Sequence, residues 1–447
     1  GMIRRLGWLR VCAVLLALMV TAPLLVIALN WAEIQTDVWR HMAETQLLRL
    51  FRNTAVLVLG VGIGVTLLGV SLAWLTAQCR FPGRKFFDVA LMLPLAIPAY
   101  VMAFVMVGLL DWAGPVQAQL REWFGRGASF SFRGTGAVIM VLTLVLYPYV
   151  YMLARSAFLA QGREPLEAAR VLGHSPWRGF WLVALPMARP AIVAGLALAL
   201  METLADFGTV AVFNYDTFTT AIYKAWYSLF SLPAAAQLAS ILILFVLVAV
   251  VFEQRSRTRM RYGAVGRSAT QRRIRLSPAL AGLAFLYAGT VLAVAFLIPV
   301  MQLALWARTV LTDALDSRYW DFAWHSVLLA GIGALMVAAV ALLLAYAGRQ
   351  RPGAAMTWTQ RLATLGYAFP GAVLAVGLFI PVAALDNWLI DRGRSWFGFG
   401  GTEVLKGTLL IMLLAYLVRF LAVGFGPIDS GLHRITRSID EAARNLG

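Results

Sequence analysis

Residues 167–173 read Glu-Ala-Ala-Arg-Val-Leu-Gly, and residues 441–447 read Glu-Ala-Ala-Arg-Asn-Leu-Gly, 274 positions later. Two more landmarks recur at nearly the same offset. Pro23 in APLLVIAL answers Pro299 in IPVMQLAL, and Pro98 in AIPAYVMA answers Pro370 in AFPGAVLA. A chain rich in Leu and Ala supplies one such match by chance, but not three in the same order. The 447 residues therefore divide into two homologous halves, 1–255 and 276–447, joined by an arginine-rich linker at 256–275. About eighty residues follow Gly173 before the linker, whereas the second half stops at Gly447. The repeat thus leads to the expectation of roughly eighty further residues and about two further spans.

Around these landmarks the chain is apolar. Hydrophobic residues make up 61% and charged residues 13%, and the mean hydropathy is +0.78. A soluble domain has about 45–50% and about 25%, so soluble enzymes, disordered scaffolds and secreted disulfide modules are excluded. A spanning helix needs about 20 mostly apolar residues. Suitable runs cover roughly 11–29, 54–77, 89–110, 137–154, 191–201 with its flanks, 234–252, 278–306, 327–347, 362–384 and 404–423. No run alternates with period two, which argues against a membrane β-barrel. The expected fold is an all-α polytopic membrane protein of two parallel homologous helical halves, with about ten spans present. Pro23 is followed by more apolar residues, so the first run is read as a span and not as a cleaved leader.

The net charge is +17, from 38 basic and 21 acidic residues. On a soluble chain this would suggest a nucleic-acid partner, but here the basic residues collect in alternate connections. Arg4, Arg5 and Arg10 precede the first span. Arg80, Arg84 and Lys85 stand against Asp88, and Arg155, Arg163, Arg170, Arg178 and Arg189 against Glu164 and Glu167. Eight arginines between 255 and 275 follow a single acid, Glu253, whereas the intervening connections are mixed. Cytoplasmic loops accumulate Lys and Arg. The N-terminus, the linker and both Glu-Ala-Ala segments are therefore expected in the cytoplasm, and no nucleic-acid partner is inferred.

After nine intervening residues, Gly173 is followed by Val183-Ala184-Leu185-Pro186. With Glu167–Gly173 this resembles the EAA loop of binding-protein-dependent ABC-transporter permeases, E-A-A-x3-G-x9-I-x-L-P, with Val183 in place of Ile. Glu441–Gly447 matches as far as the sequence runs. The resemblance implies the type I importer permease fold, in which a short helix, a Gly turn and a second short helix near 163–190 lie across the membrane surface. It implies an inner-membrane protein of a bacterium, partnered by two copies of a separate cytoplasmic ABC ATPase and by a periplasmic solute-binding protein. Glu167, Ala168, Ala169 and Gly173, with Glu441, Ala442, Ala443 and Gly447, are the ATPase-coupling residues so implied. Their chemistry suits that role, because glycine allows a positive φ at a helix end, alanines keep the helix slim, and the acid offers a charge. No G-x-x-x-x-G-K-[ST] occurs. ATP is thus expected to be used by the partner, with this chain binding no cofactor and catalysing no reaction.

The run Glu202-Thr203-Leu204-Ala205-Asp206-Phe207-Gly208, followed by YDTFTTAIYKAWY at 215–227, is similar to the ferric-iron branch of these permeases. That resemblance implies iron import, with thiamine, phosphonate or polyamine as the alternative small solutes. Glu202 and Asp206 lie four apart and would share a helix face. Ionisable groups near a membrane helix face the bundle interior or a watery cavity. Two roles stay open for them: bordering the translocation path, or capping a helix and bracing a loop. Pro98 and Pro370 fall mid-span, where proline bends a helix, either around a central path or for packing alone. Gly60, Gly62 and Gly64 are read as sites of close helix packing. Cys12 and Cys79 show no disulfide or metal spacing, and His41, His174, His325 and His433 are scattered, so no metal site is assigned. An ion-driven secondary transporter would want paired ionisable groups at the midplane and would leave the two Glu-Ala-Ala segments unexplained. An integral-membrane enzyme would need clustered His, Asp or Ser at the membrane face.

Overall fold

The computed structural model describes residues 2–32, 36–162, 164–259, 273–314, 316–398, 409–433 and 435–447, so most of the arginine-rich linker lies outside the described residues. The apolar runs form helices, and Gly, Pro and charged clusters interrupt them. The chain begins with α1 (Met2–Leu29), α2 (Thr36–Thr45), α3 (Leu47–Gln78), α4 (Arg84–Ala90), α5 (Ala99–Leu110), α6 (Pro115–Phe124) and α7 (Thr135–Ala160). It continues through α8 (Glu164–Val171), α9 (Pro176–Gly179), α10 (Leu185–Ala205), α11 (Gly208–Val212), α12 (Phe218–Tyr227) and α13 (Leu232–Arg259). The second half supplies α14 (Pro278–Leu292), α15 (Ile298–Ala314), α16 (Ser317–Gln350), α17 (Ala354–Ala363), α18 (Gly371–Phe397), α19 (Leu409–His433) and α20 (Arg437–Asn445). Ten helical stretches among the described residues are long and apolar enough to cross a membrane. The described strands are two residues each: β1 (Cys79–Arg80) pairs in parallel with β2 (Ile274–Arg275).

One expectation is corrected here. Pro98 and Pro370 do not kink continuous spans; each stands immediately before a helix, at the N-cap of α5 and of α18. Proline disfavours helical φ/ψ in the residue before it. Ile97 and Phe369 are accordingly extended, at φ −87°, ψ 120° and φ −77°, ψ 124°. Short 3-10 turns, Leu93–Ala96 and Leu365–Ala368, precede them. In both halves the span is thus broken and not bent.

A broken membrane helix must satisfy the freed carbonyls internally. Two tyrosines on one face of α7 do this for the first half, and an arginine on the same face adds an ion pair. Tyr147 donates to the Leu91 carbonyl at 2.8 Å, Tyr151 to the Asp88 carbonyl at 2.9 Å, and Arg155 grips the Asp88 carboxylate at 2.5 and 2.6 Å. In the second half Arg419 of α19 donates to the Phe369 carbonyl.

The described residues form two compact units. The larger holds 40–221 and 244–312. Its centre is the contact of α3 with α7, where Gly60 faces Ile139, Gly64 faces Thr143 and Gly69 faces Val150. The glycine run therefore serves close packing, as its sequence suggested. Here α14 also packs: Phe285 meets Phe87 of α4 at 5.7 Å between ring centres, and Tyr287 bonds Ser71 of α3 at 2.6 Å. The smaller unit holds 1–39, 222–243 and 313–447. In it, Leu9, Ala13, Ala17 and Val20 form a buried stripe of α1, which packs against α16, α17 and α18. The units therefore do not follow the halves of the repeat. The first span of each half packs among helices of the other.

Candidate coupling and translocation sites

The segment around Glu167 folds as its composition dictates. α8 ends at Val171, and Gly173 takes φ +85°. The His174 amide donates to the Ala169 carbonyl and the Gly173 amide to the Arg170 carbonyl, both at 3.0 Å. This is the paired Schellman closure that needs a left-handed residue. Ser175 then caps α9 by accepting from the Arg178 amide at 3.3 Å, and a π-turn, Phe180–Ala184, leads into α10. Buried Gly179 lets α8 and α9 cross closely: a Cβ there would stand 3.3 Å from Leu166 and 3.8 Å from Ala169.

Ala169 is buried in this crossing, while Glu167, Ala168, Val171, Leu172 and Trp177 are exposed. Leu172 is 76% exposed and Val171 87%, which leaves an apolar edge beside the acid. Behind that edge the loop is wired into the spans. Phe180 packs against Trp74 of α3 at 4.9 Å and against Phe158 of α7 at 6.2 Å, and Trp177 reaches Phe180 at 6.4 Å. Gln161 donates to the Ala184 carbonyl at 2.8 Å, and Gln78 to the Phe158 carbonyl at 2.6 Å. Contacting rings thus join α9 and the π-turn to α3 and α7.

The second copy shares the short helix and the glycine of positive φ, and it has a different anchor. Glu441, Ala442 and Ala443 lie on α20 and are exposed, as is Leu446 at 89%. Gly447 has φ +99°. Arg349 of α16 holds this helix: it donates to the Asp440 carboxylate at 2.5 Å, to the Ile435 carbonyl at 2.7 Å and to the Leu432 carbonyl. Arg444 reaches back to Gln350. Arg349 and Asp440 are 12% and 27% exposed, so the pair is shielded from the full screening of water. The exposed leucine was legible as a residue identical in both copies, Leu172 and Leu446. Phe180, Trp74, Phe158 and Arg349 carried no sequence signal.

At the other end of α10, Glu202 lies in the last turn and Asp206 follows the helix end. The Asp206 carboxylate accepts from the Val210 amide at 3.1 Å, capping α11, and its carbonyl accepts from the Thr219 hydroxyl at 2.7 Å. The bracing role is thus realised for Asp206. Burial pushes its carboxyl up to about 6; the Glu202 charge adds to the rise, and hydrogen bonds from Thr209 and Val210 oppose it. Next to this turn, a Cβ on Gly208 would stand 2.5 Å from the Tyr100 Cβ, so the acidic loop adjoins the start of α5 two residues beyond Pro98. Pro370 lies in the other compact unit. Asp386 of α18, a residue without a motif to mark it in the sequence, is a fully buried acid within a span. Among the described residues no three His, Cys, Asp or Glu side chains are grouped to hold a metal.

Comparison with known proteins agrees with this architecture. The family model for "Binding-protein-dependent transport system inner membrane component" matches residues 65–262. The Fe(3+)-transport system permease protein FbpB 2 of Haemophilus influenzae is 27% identical over 446 residues, spanning 98% of this chain and 81% of that protein. The molybdenum transport system permease protein ModB of Escherichia coli is 30% identical over 192 residues, 42% of this chain and 82% of its own length. The sulfate transport system permease protein CysT of Escherichia coli is 27% identical over 241 residues, 52% of this chain and 83% of its own length. The chain belongs to the inner-membrane components of binding-protein-dependent transport systems, the permeases of ABC importers.

Proposed function

We propose that this permease imports ferric iron, and that α8–α9 and α20 are the docking points for two copies of a cytoplasmic ABC ATPase. The observation that carries the coupling reading is the helix and following glycine that the two Glu-Ala-Ala segments share. In each, a short exposed helix runs through an exposed leucine to a glycine of positive φ, and each is fastened to spans. In this reading the ATPase closes on its nucleotide and displaces the docked helices. Phe180 passes the first displacement to α3 and α7, and Arg349 passes the second to α16. A periplasmic binding protein delivers the solute on the opposite side, and the N-terminus lies in the cytoplasm. Ferric iron is supported by the likeness over nearly the whole chain to an Fe(3+) permease and by the run Glu202–Gly208. Glu202 and Asp206 border the path in this reading, since carboxylate oxygens suit a hard cation.

The test is uptake of radiolabelled ferric iron by cells that carry the permease with its cognate ATPase and binding protein. Glu167→Lys combined with Glu441→Lys should abolish copurification of the ATPase and reduce uptake to background, with the permease still in the membrane. Undiminished uptake by that variant would overturn the coupling reading. Glu202→Gln with Asp206→Asn should lower iron uptake and leave ATPase copurification intact. The similarity to ModB and CysT favours a second reading, an oxyanion substrate. Uptake of molybdate or sulfate without iron would establish it in place of the first.

A further inference from the structure

The strand pair β1–β2 has no part in the coupling just described, yet it delivers a charged residue to a defined place. Register Cys79↔Ile274 and Arg80↔Arg275 lays the end of the linker along the end of α3. Arg273, the residue before β2, thereby comes within the electrostatic reach of Arg84, Arg155 and Asp88.

The charges at this place do not balance. Arg155 and Asp88 neutralise each other through their two hydrogen bonds. Arg84 spends one nitrogen on the Thr76 carbonyl at 3.0 Å, a neutral acceptor. The Nε of Arg273 is shut off from solvent and donates to no acceptor among the described residues. Among the described residues Asp88 is the one acid acting on Arg273 there, and it is already taken. Burial, with the Arg84 and Arg155 charges, holds the Arg273 pKa below its ordinary value. A polar atom buried without a partner, beside an excess of cations, points to a missing anionic ligand.

The ligand's chemistry follows from its surroundings. Guanidinium groups favour phosphate oxygens, and basic pockets between membrane helices bind anionic headgroups. The flank of this place is apolar and open. Phe86 and Val89 of α4 are 62% and 63% exposed, and Phe285 of α14 is 45% exposed. Such a flank suits an acyl chain.

We propose that Arg273 and Arg84, beside the Arg155–Asp88 pair, form a binding site for a phosphate group, either the headgroup of an anionic phospholipid or free phosphate. The bound group lies at the end of α3, neutralises the excess cation and fastens β2, and with it the end of the linker, to β1.

The test uses the full chain in detergent, with native mass spectrometry and thermal unfolding as readouts. The probes are phosphatidylglycerol, phosphatidylcholine and inorganic phosphate. Phosphatidylglycerol should be retained about tenfold more strongly than phosphatidylcholine, and Arg273→Gln should remove that preference, a change of about 1.4 kcal/mol. Arg126→Gln, at an exposed arginine elsewhere, should retain it. Stabilisation by inorganic phosphate that Arg273→Gln abolishes, without a lipid preference, would assign the site to the free anion. Arg84→Gln serves as the second variant if Arg273→Gln does not fold. Equal retention of both lipids, with no effect of phosphate, would overturn the proposal, as would an unchanged preference in both variants.

Discussion

At Gly173 a single backbone angle decides whether the first Glu-Ala-Ala loop can form. Its φ of +85° closes α8, and a Cβ placed there would meet nothing within 4 Å. A substitution therefore carries only the conformational cost, roughly 1–2 kcal/mol for an ordinary L residue and less for Asn. Gly173→Val should weaken ATPase copurification severalfold, and Gly173→Asn should retain most of it. Equal losses from the two would mean that the left-handed angle is not what matters. A second residue-scale prediction concerns pH. The folded-state pKa of Asp206 is about 6 against 3.8 for the free side chain, so folding favours the protonated form. The stability it contributes is present below about pH 4 and lost as pH rises through about 6. Asp206→Asn keeps a neutral acceptor for the Val210 amide and removes the titration. Thermal unfolding between about pH 4 and pH 7 should show the native protein losing stability relative to this variant. Parallel curves would show that Asp206 titrates normally.

The elements are held together by contacts that differ greatly in tolerance. Gly69 of α3 is the least yielding point of the glycine ridge: a Cβ would stand 2.6 Å from the Val150 Cβ and 2.9 Å from the Tyr151 backbone nitrogen. Backbone cannot yield as a side-chain tip does, so Gly69→Leu should cost about 1–3 kcal/mol or more by overpacking. Gly127→Leu, where a Cβ meets nothing within 4 Å, should leave the unfolding temperature in place. A Gly69→Leu protein as stable as the native one would mean that α3 and α7 are less closely packed. This scale also shows what the sequence could convey. Ten spans were countable because hydropathy acts locally, and Gly60 and Gly64 were legible as packing positions because they lie in an apolar run, whereas nothing marked Gly69. Helix ends were less so: the run 191–201 marked only the middle of a helix that extends over Leu185–Ala205. Pro98 and Pro370 were visible as interruptions, but whether a helix bends or restarts depends on carbonyl partners such as Tyr147 and Arg419, which are distant in sequence. The same limit hid Phe180 and Arg349, whose roles exist only once Trp74, Phe158 and Asp440 have been brought to them.

For the whole molecule, the repeat reported that two halves are related and could not report which helices pack together, because homology constrains sequence and not partner choice. Among the described residues, α1 buries its stripe among second-half helices, and α14 and α15 settle among first-half helices. This exchange makes the linker dispensable for holding the halves together. A chain cut within 260–272 and coexpressed as two pieces should therefore be recovered whole through a tag on the second piece. Two sets of substitutions probe the reason without lowering the hydropathy needed for insertion. Ala13→Leu with Ala17→Leu overfills positions that are 1% and 7% exposed in α1. Gly108→Leu drives into Trp306 of α15, whose ring would lie 2.7 Å from the new Cβ. Each overpacking costs about 1–3 kcal/mol, which is roughly tenfold in association. Each set alone should reduce recovery of the first piece partially, since the other contact still holds, and the combination should reduce it to background. Full recovery in the combined variant would place the first spans with their own halves and remove the exchange as the reason that the two halves stay together.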